Sequence, residues 1–101
     1  MAVVRGRSMA PTLIDGDRLL VRYDAAPQAG RVAVVRFADG VVAVKRLDHL
    51  DRDGWWVARD NPLEGRDSWS AGAVRPADVV ALVLLRVWPR PGPLPGRPAG
   101  S

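Results

Sequence analysis

Two side chains of this chain have the type and setting to do covalent chemistry. Ser8 lies in Gly6-Arg7-Ser8-Met9-Ala10-Pro11-Thr12-Leu13, followed by Asp15-Gly16-Asp17. A serine placed after a glycine and just before a proline-fixed turn can hold its hydroxyl exposed and keep its backbone N–H available. Those are the requirements of a nucleophile that also lends an amide to an oxyanion. Taken alone, the segment reads equally well as an ordinary loop, since Ser and Pro are common there. The second side chain is Lys45, the single lysine, in the run 41–47, VVAVKRL. A strand period of two puts Lys45 on one face with Val41, Ala43 and Leu47 and turns Arg46 to the other. An ammonium among such neighbours is desolvated, which favours its neutral form and lowers a free value near ~10.4. A neutral amine within reach of a serine hydroxyl is the Ser-Lys variant of serine catalysis. The competing account is a lysine whose stem lines a sheet and whose tip reaches water.

Other chemistries find little support. The chain has no cysteine, which removes disulfides, thiolate metal sites and a thiol nucleophile together. Its single histidine, His49, stands among Asp48, Asp51 and Asp53 with no Gly-x-Ser-x-Gly motif beside it, and is read as a surface loop residue. One histidine without cysteines is a poor start for a metal site, so neither metal nor cofactor is expected. The formal charge is +4, but the 15 basic residues are interspersed with acidic ones and no dense basic block appears. No nucleic-acid partner is therefore expected.

These two residues must be positioned by strands. Residues 17–23, 31–37, 41–47, 55–58 and 79–88 are short runs rich in branched and aromatic residues, separated by Gly, Pro and Asp. Asp39-Gly40 between two of them is the strongest hairpin signal, and Asp53-Gly54 announces another turn. Pro76-Ala77-Asp78 suits a single helical turn. No long helical period is present, so the expected class is all-β, a small curled sheet or partly closed barrel with little helix. With 101 residues this is one domain, read as residues 1–88 with a Pro/Gly-rich flexible tail over 89–101.

The order of these segments resembles the signal peptidase I-like serine peptidases. Ser8-Met9-x-Pro11-Thr12-Leu13 resembles that family's nucleophile box, with Gly16-Asp17 as its continuation. Val44-Lys45-Arg46 resembles the box that carries the general base. Asp60-Asn61, then Asp67-Ser68, then Gly72 and Val74 resemble the third box. The resemblance implies the barrel of signal peptidases and self-cleaving repressor peptidases, with Ser8 as nucleophile and Lys45 as general base. It further implies Ser8 and Gly6 at the oxyanion position, Asp67 and Ser68 as support around Lys45, and Met9 and Pro11 at the substrate. The chain departs from the pattern at Gly6 and Gly65, which replace hydroxyl-bearing residues of some relatives. Arg31, Arg59, Trp69 and Ala73 replace Asp, Gly, Arg and Pro.

Within that family, the short members with Trp-Trp-Val leading into Asp-Asn-Pro resemble the maturation peptidases of nickel-containing superoxide dismutase. That likeness, carried by Trp55-Trp56-Val57 and Asp60-Asn61-Pro62, implies a precursor protein partner from which a short N-terminal leader is removed. The alternatives are a self-cleaving repressor-type domain and a noncatalytic β module binding a protein or RNA partner. No run approaches the ~20 apolar residues of a membrane span, so the expected location is cytoplasmic. Trp55 and Trp56 are the candidates for a weak membrane or substrate contact, because adjacent strand residues face opposite ways.

Overall fold

The structure, a computed structural model, describes residues 2–6, 8–61 and 72–94. Its strands are β1 (Ala2–Val3), β2 (Arg18–Arg22), β3 (Val32–Arg36), β4 (Val42–Asp51), β5 (Gly54–Ala58) and β6 (Val79–Trp88), with one 3-10 turn at Pro76–Asp78 before β6. They form one antiparallel sheet in the order β1-β2-β6-β3-β4-β5. The all-β class with a curled, unclosed sheet is thus what the strand pattern led us to expect. Among the described residues no helix is long and apolar enough to cross a membrane.

Local chemistry explains the turns. Phe37 and Val41 close the Asp39-Gly40 hairpin, with the Phe37 N–H donating to the Val41 carbonyl at 2.9 Å. Gly40 adopts φ +88°, which an L side chain resists, and the Asp39 carboxylate accepts the Val41 N–H. Gly54 is required for a second reason. A Cβ there would lie 2.4 Å from the Val74 carbonyl oxygen, because Trp55 and Val74 exchange two backbone hydrogen bonds at that point.

Two apolar clusters fill the molecule, and β3 divides them. Ala33, Val35 and Phe37 join Leu47, Trp55, Val57, Val74 and Leu82 on one side. Val32 joins Val4, Met9, Leu13, Leu19 and Val83 on the other, with Val34 and Val44 packed against them. The run VAVV is apolar throughout because both of its faces are covered. The second cluster explains why the serine segment is ordered: Met9 and Leu13 are its anchors, at 1% and 0% exposure. Burying two such side chains contributes about 1.5–3 kcal/mol each.

β4 runs to Asp51, four residues beyond the segment expected from sequence, so His49 lies on a strand rather than in a loop. It is on the surface as expected, stacked on Trp56 with ring centroids 6.0 Å apart and its Nδ1 2.6 Å from Asp48. After β6 the chain turns back. Gly92 and Arg86 exchange backbone hydrogen bonds at 2.9 Å, and Leu94 packs against the second cluster.

Candidate active site

Ser8 opens onto a cavity of about 190 Å³ whose walls come from opposite ends of the sheet order. Ala2 to Arg5 form one wall; Val42, Ala43 and Val44, with Val34 behind them, form the other. Ser8 and Met9 lie at its base. β1 is the first strand of the sheet and β4 the fifth, so the cavity exists because the sheet curls.

Both walls present open strand edges. In an antiparallel strand, alternate residues direct their N–H and C=O to opposite sides. Val4 donates to Asp17 and accepts from Gly16, so Val3 and Arg5 direct theirs away from β2. On β4, Val41 and Leu47 bond toward the β3 side, which directs Val42 and Val44 to the outer edge. β5 begins to pair only at Arg46, opposite Ala58. Among the described residues, no strand covers either edge where it borders the cavity.

The turn that carries Ser8 is held at several points. Asp17, 1% exposed, accepts the Ile14 N–H and an Arg86 guanidinium hydrogen at 3.3 Å, and Arg86 also donates to the Thr12 carbonyl. Gly6 adopts φ +82° and donates its N–H to Asp15 at 2.8 Å. Its amide thereby fixes the turn. The Ser8 carbonyl accepts the Asn61 N–H at 2.7 Å, and among the described residues no acceptor takes the Ser8 N–H.

A buried ionic cluster then ties the three sequence segments together. Asp60 accepts from Arg46 Nε at 3.0 Å and from Arg46 Nη2 at 2.7 Å, a bidentate pair with both side chains 4% exposed. Its Oδ2 also accepts the Thr12 hydroxyl at 2.5 Å, while Arg46 Nη1 donates to the Gly30 carbonyl. Charge-assisted bidentate bonds of this kind fix geometry as well as energy. Sequence reasoning turned Arg46 away from Lys45 but gave neither Arg46 nor Asp60 a role. The available signal was an arginine on a strand between two apolar runs, with a carboxylate downstream to neutralise it.

Lys45 follows directly after the Val42–Val44 wall and is 3% exposed. It pairs opposite Ala33, on the side of β4 that carries Ala43 and Leu47, whereas Met9 and Val44 belong to the other cluster. Met9 is among the residues that line the cavity, and Pro11 is exposed on the turn beside it in sequence. Asp67 and Ser68 lie outside the described residues. Trp55 is a core residue, and Trp56 covers the sheet with its indole N–H on Asp51 at 2.8 Å. No group of His, Asp and Glu able to hold a metal occurs among the described residues.

A serine at the base of a cavity bordered by two open strand edges is suited to hold an extended peptide against a hydroxyl, as a β-sheet serine peptidase must. A family model described as Peptidase S24-like matches residues 1–72. The chain belongs to that family, and is thereby a domain of the serine-peptidase type. Comparison with curated proteins and with solved structures found no match.

Proposed function

We propose that the protein is a serine endopeptidase that uses Ser8 and Lys45 to remove an N-terminal leader from a precursor protein, with nickel superoxide dismutase as the substrate. The observation that carries this reading is the cavity at Ser8 between the Val3–Arg5 and Val42–Val44 edges. A leader peptide inserted there as a strand finds backbone partners on both sides and a shallow apolar floor for a small side chain. The burial of Lys45, 3% exposed, supports it as the candidate base, since a lysine serves as a general base where it is taken out of water.

In this mechanism the Ser8 Oγ attacks the scissile carbonyl as its proton passes to the Lys45 Nζ. The C–N bond breaks and the same proton leaves on the amine of the matured product. Water then attacks the acyl ester, gives a proton to Lys45, and the serine hydroxyl is restored as the leader's new carboxyl end departs. The Ser8 N–H stabilises the oxyanion in both halves.

Intact-mass analysis tests the proposal: the precursor is incubated with wild type, Ser8→Ala and Lys45→Ala. Loss of one defined leader with wild type only is the expected result. An uncut precursor alongside a cut generic Ala-x-Ala signal substrate removes the substrate and keeps the dyad. Equal cleavage by all three proteins overturns the dyad. The Peptidase S24-like match favours one further reading, a domain that cuts its own longer chain. Loss of mass from that longer chain incubated alone, abolished by Ser8→Ala, would select it.

A further inference from the structure

Among the described residues that line the Ser8 cavity, Arg5 is the one that carries a charge; those beside it and Ser8 are apolar. It is exposed. Arg46 pairs with Asp60, Arg86 with Asp17, Arg36 and Arg75 with Asp78, and Arg18 lies over the Trp88 ring, whereas Arg22, Arg31 and Arg52, like Arg5, have no such partner among the described residues but do not line the cavity. Among the described residues no carboxylate pairs with the Arg5 guanidinium. We propose that Arg5 sets substrate specificity by pairing with an acidic side chain on the outward face of the bound peptide. The inference rests on the peptidase reading above.

Strand geometry says which peptide positions it reads. Ala2 and Val4 turn their side chains toward the second apolar cluster, while Val3 and Arg5 turn theirs outward. A peptide strand laid along that edge alternates in the same way. Residues facing inward meet Met9, Val34 and Val44 and fill the cavity. Residues facing outward lie beside Val3 and Arg5, at the ~4.5–5.5 Å Cβ spacing of cross-strand neighbours, within reach of a charge pair. A carboxylate is therefore favoured at the position next to the cavity-filling residue and not at that residue itself. A lysine there meets a like charge and is disfavoured.

The probes are three hexapeptides with alanine as the cavity-filling residue and Glu, Gln or Lys at the neighbouring position. Relative kcat/KM is measured for wild type, Arg5→Ala and Arg5→Glu, and equilibrium binding is measured with the Ser8→Ala protein, in which no cutting occurs. Wild type is expected to prefer Glu over Gln by about fivefold at low salt, the range of an exposed pair, and Lys least of all. High salt should compress the series. Arg5→Ala should flatten it and Arg5→Glu should reverse it. The ratio among peptides is the readout, so a general loss of rate does not imitate the effect. An unchanged order in Arg5→Glu, or equal or absent binding of the three peptides to Ser8→Ala, overturns the proposal. If wild type cuts none of them while Ser8→Ala binds Glu best, the catalytic reading fails and the recognition by Arg5 stands.

Discussion

Replacing Asp60 with alanine withdraws the carboxylate that accepts both Arg46 nitrogens and the Thr12 hydroxyl. The guanidinium stays behind, 4% exposed, without the carboxylate that binds it bidentately. Breaking a buried ion pair from one side costs about 3–5 kcal/mol, because the cost is that of an uncompensated buried charge. A domain of this size has roughly 5–15 kcal/mol in total, so the variant retains a marginal fold. With a urea slope of ~1–3 kcal/mol/M, the unfolding midpoint should fall by about 2 M. The double variant Arg46→Met with Asp60→Leu removes both charges and should recover most of that loss, since an apolar pair of similar volume is often neutral in such a site. Thr12→Val alone should cost about 1 kcal/mol, the worth of one hydrogen bond. Amide exchange gives the local readout. The Asn61 N–H that donates to the Ser8 carbonyl should lose protection in Asp60→Ala before the core strands do. A midpoint shift under ~0.5 M, or a double variant that loses the sum of the two singles, would refute the idea that this cluster clamps the serine turn to β4.

Two other substitutions separate fold from site. Gly54→Ala drives a Cβ into the Val74 carbonyl at φ +122° and must part the two Trp55–Val74 hydrogen bonds. Strain and lost bonds together come to about 3 kcal/mol, which calorimetry should register as a fall in Tm of about 15 °C. Val42→Phe acts the other way. Val42 is 53% exposed and lines the cavity, so the urea midpoint should stay where it is while leader cleavage at low substrate falls roughly tenfold.

The strands were legible wherever a turn residue announced them. Asp39-Gly40 fixed the β3–β4 hairpin, Asp53-Gly54 the entry to β5, and the 79–88 run appeared with its bounds intact. β1 was not legible, since two residues carry no period and Ala2–Val3 is a strand only because β2 lies beside it. The far half of β4 was missed because Asp48, His49 and Asp51 read as a polar loop. They form a strand because Trp55 and Trp56 pair with that segment across the hairpin. The residue types at Ser8 and Lys45 could be read from motif order, and so could the burial of Lys45 from its apolar neighbours. The Arg46–Asp60–Thr12 cluster could not, because hydrophobic patterning treats every charge as a surface residue. Only the three-dimensional meeting of segments 14 and 34 residues apart along the chain reveals that these charges neutralise one another inside.

The place of β6 in the sheet bears on how the two walls of the cleft are aligned. Among the described residues the strand latest in sequence, β6, sits between β2 and β3 and bonds to both. Ahead of it in the sequence lie β1 and β2 with the serine turn, and the β3–β4–β5 meander with Lys45, joined by the Arg46–Asp60–Thr12 cluster and the Asn61–Ser8 hydrogen bond rather than by strand pairing. Removing residues 79–88 would leave those ties in place but take away the strand that bonds both pieces into one sheet. The interleaved order thus makes the alignment of the two cleft walls a long-range property, which depends on a strand that follows both of them in the sequence.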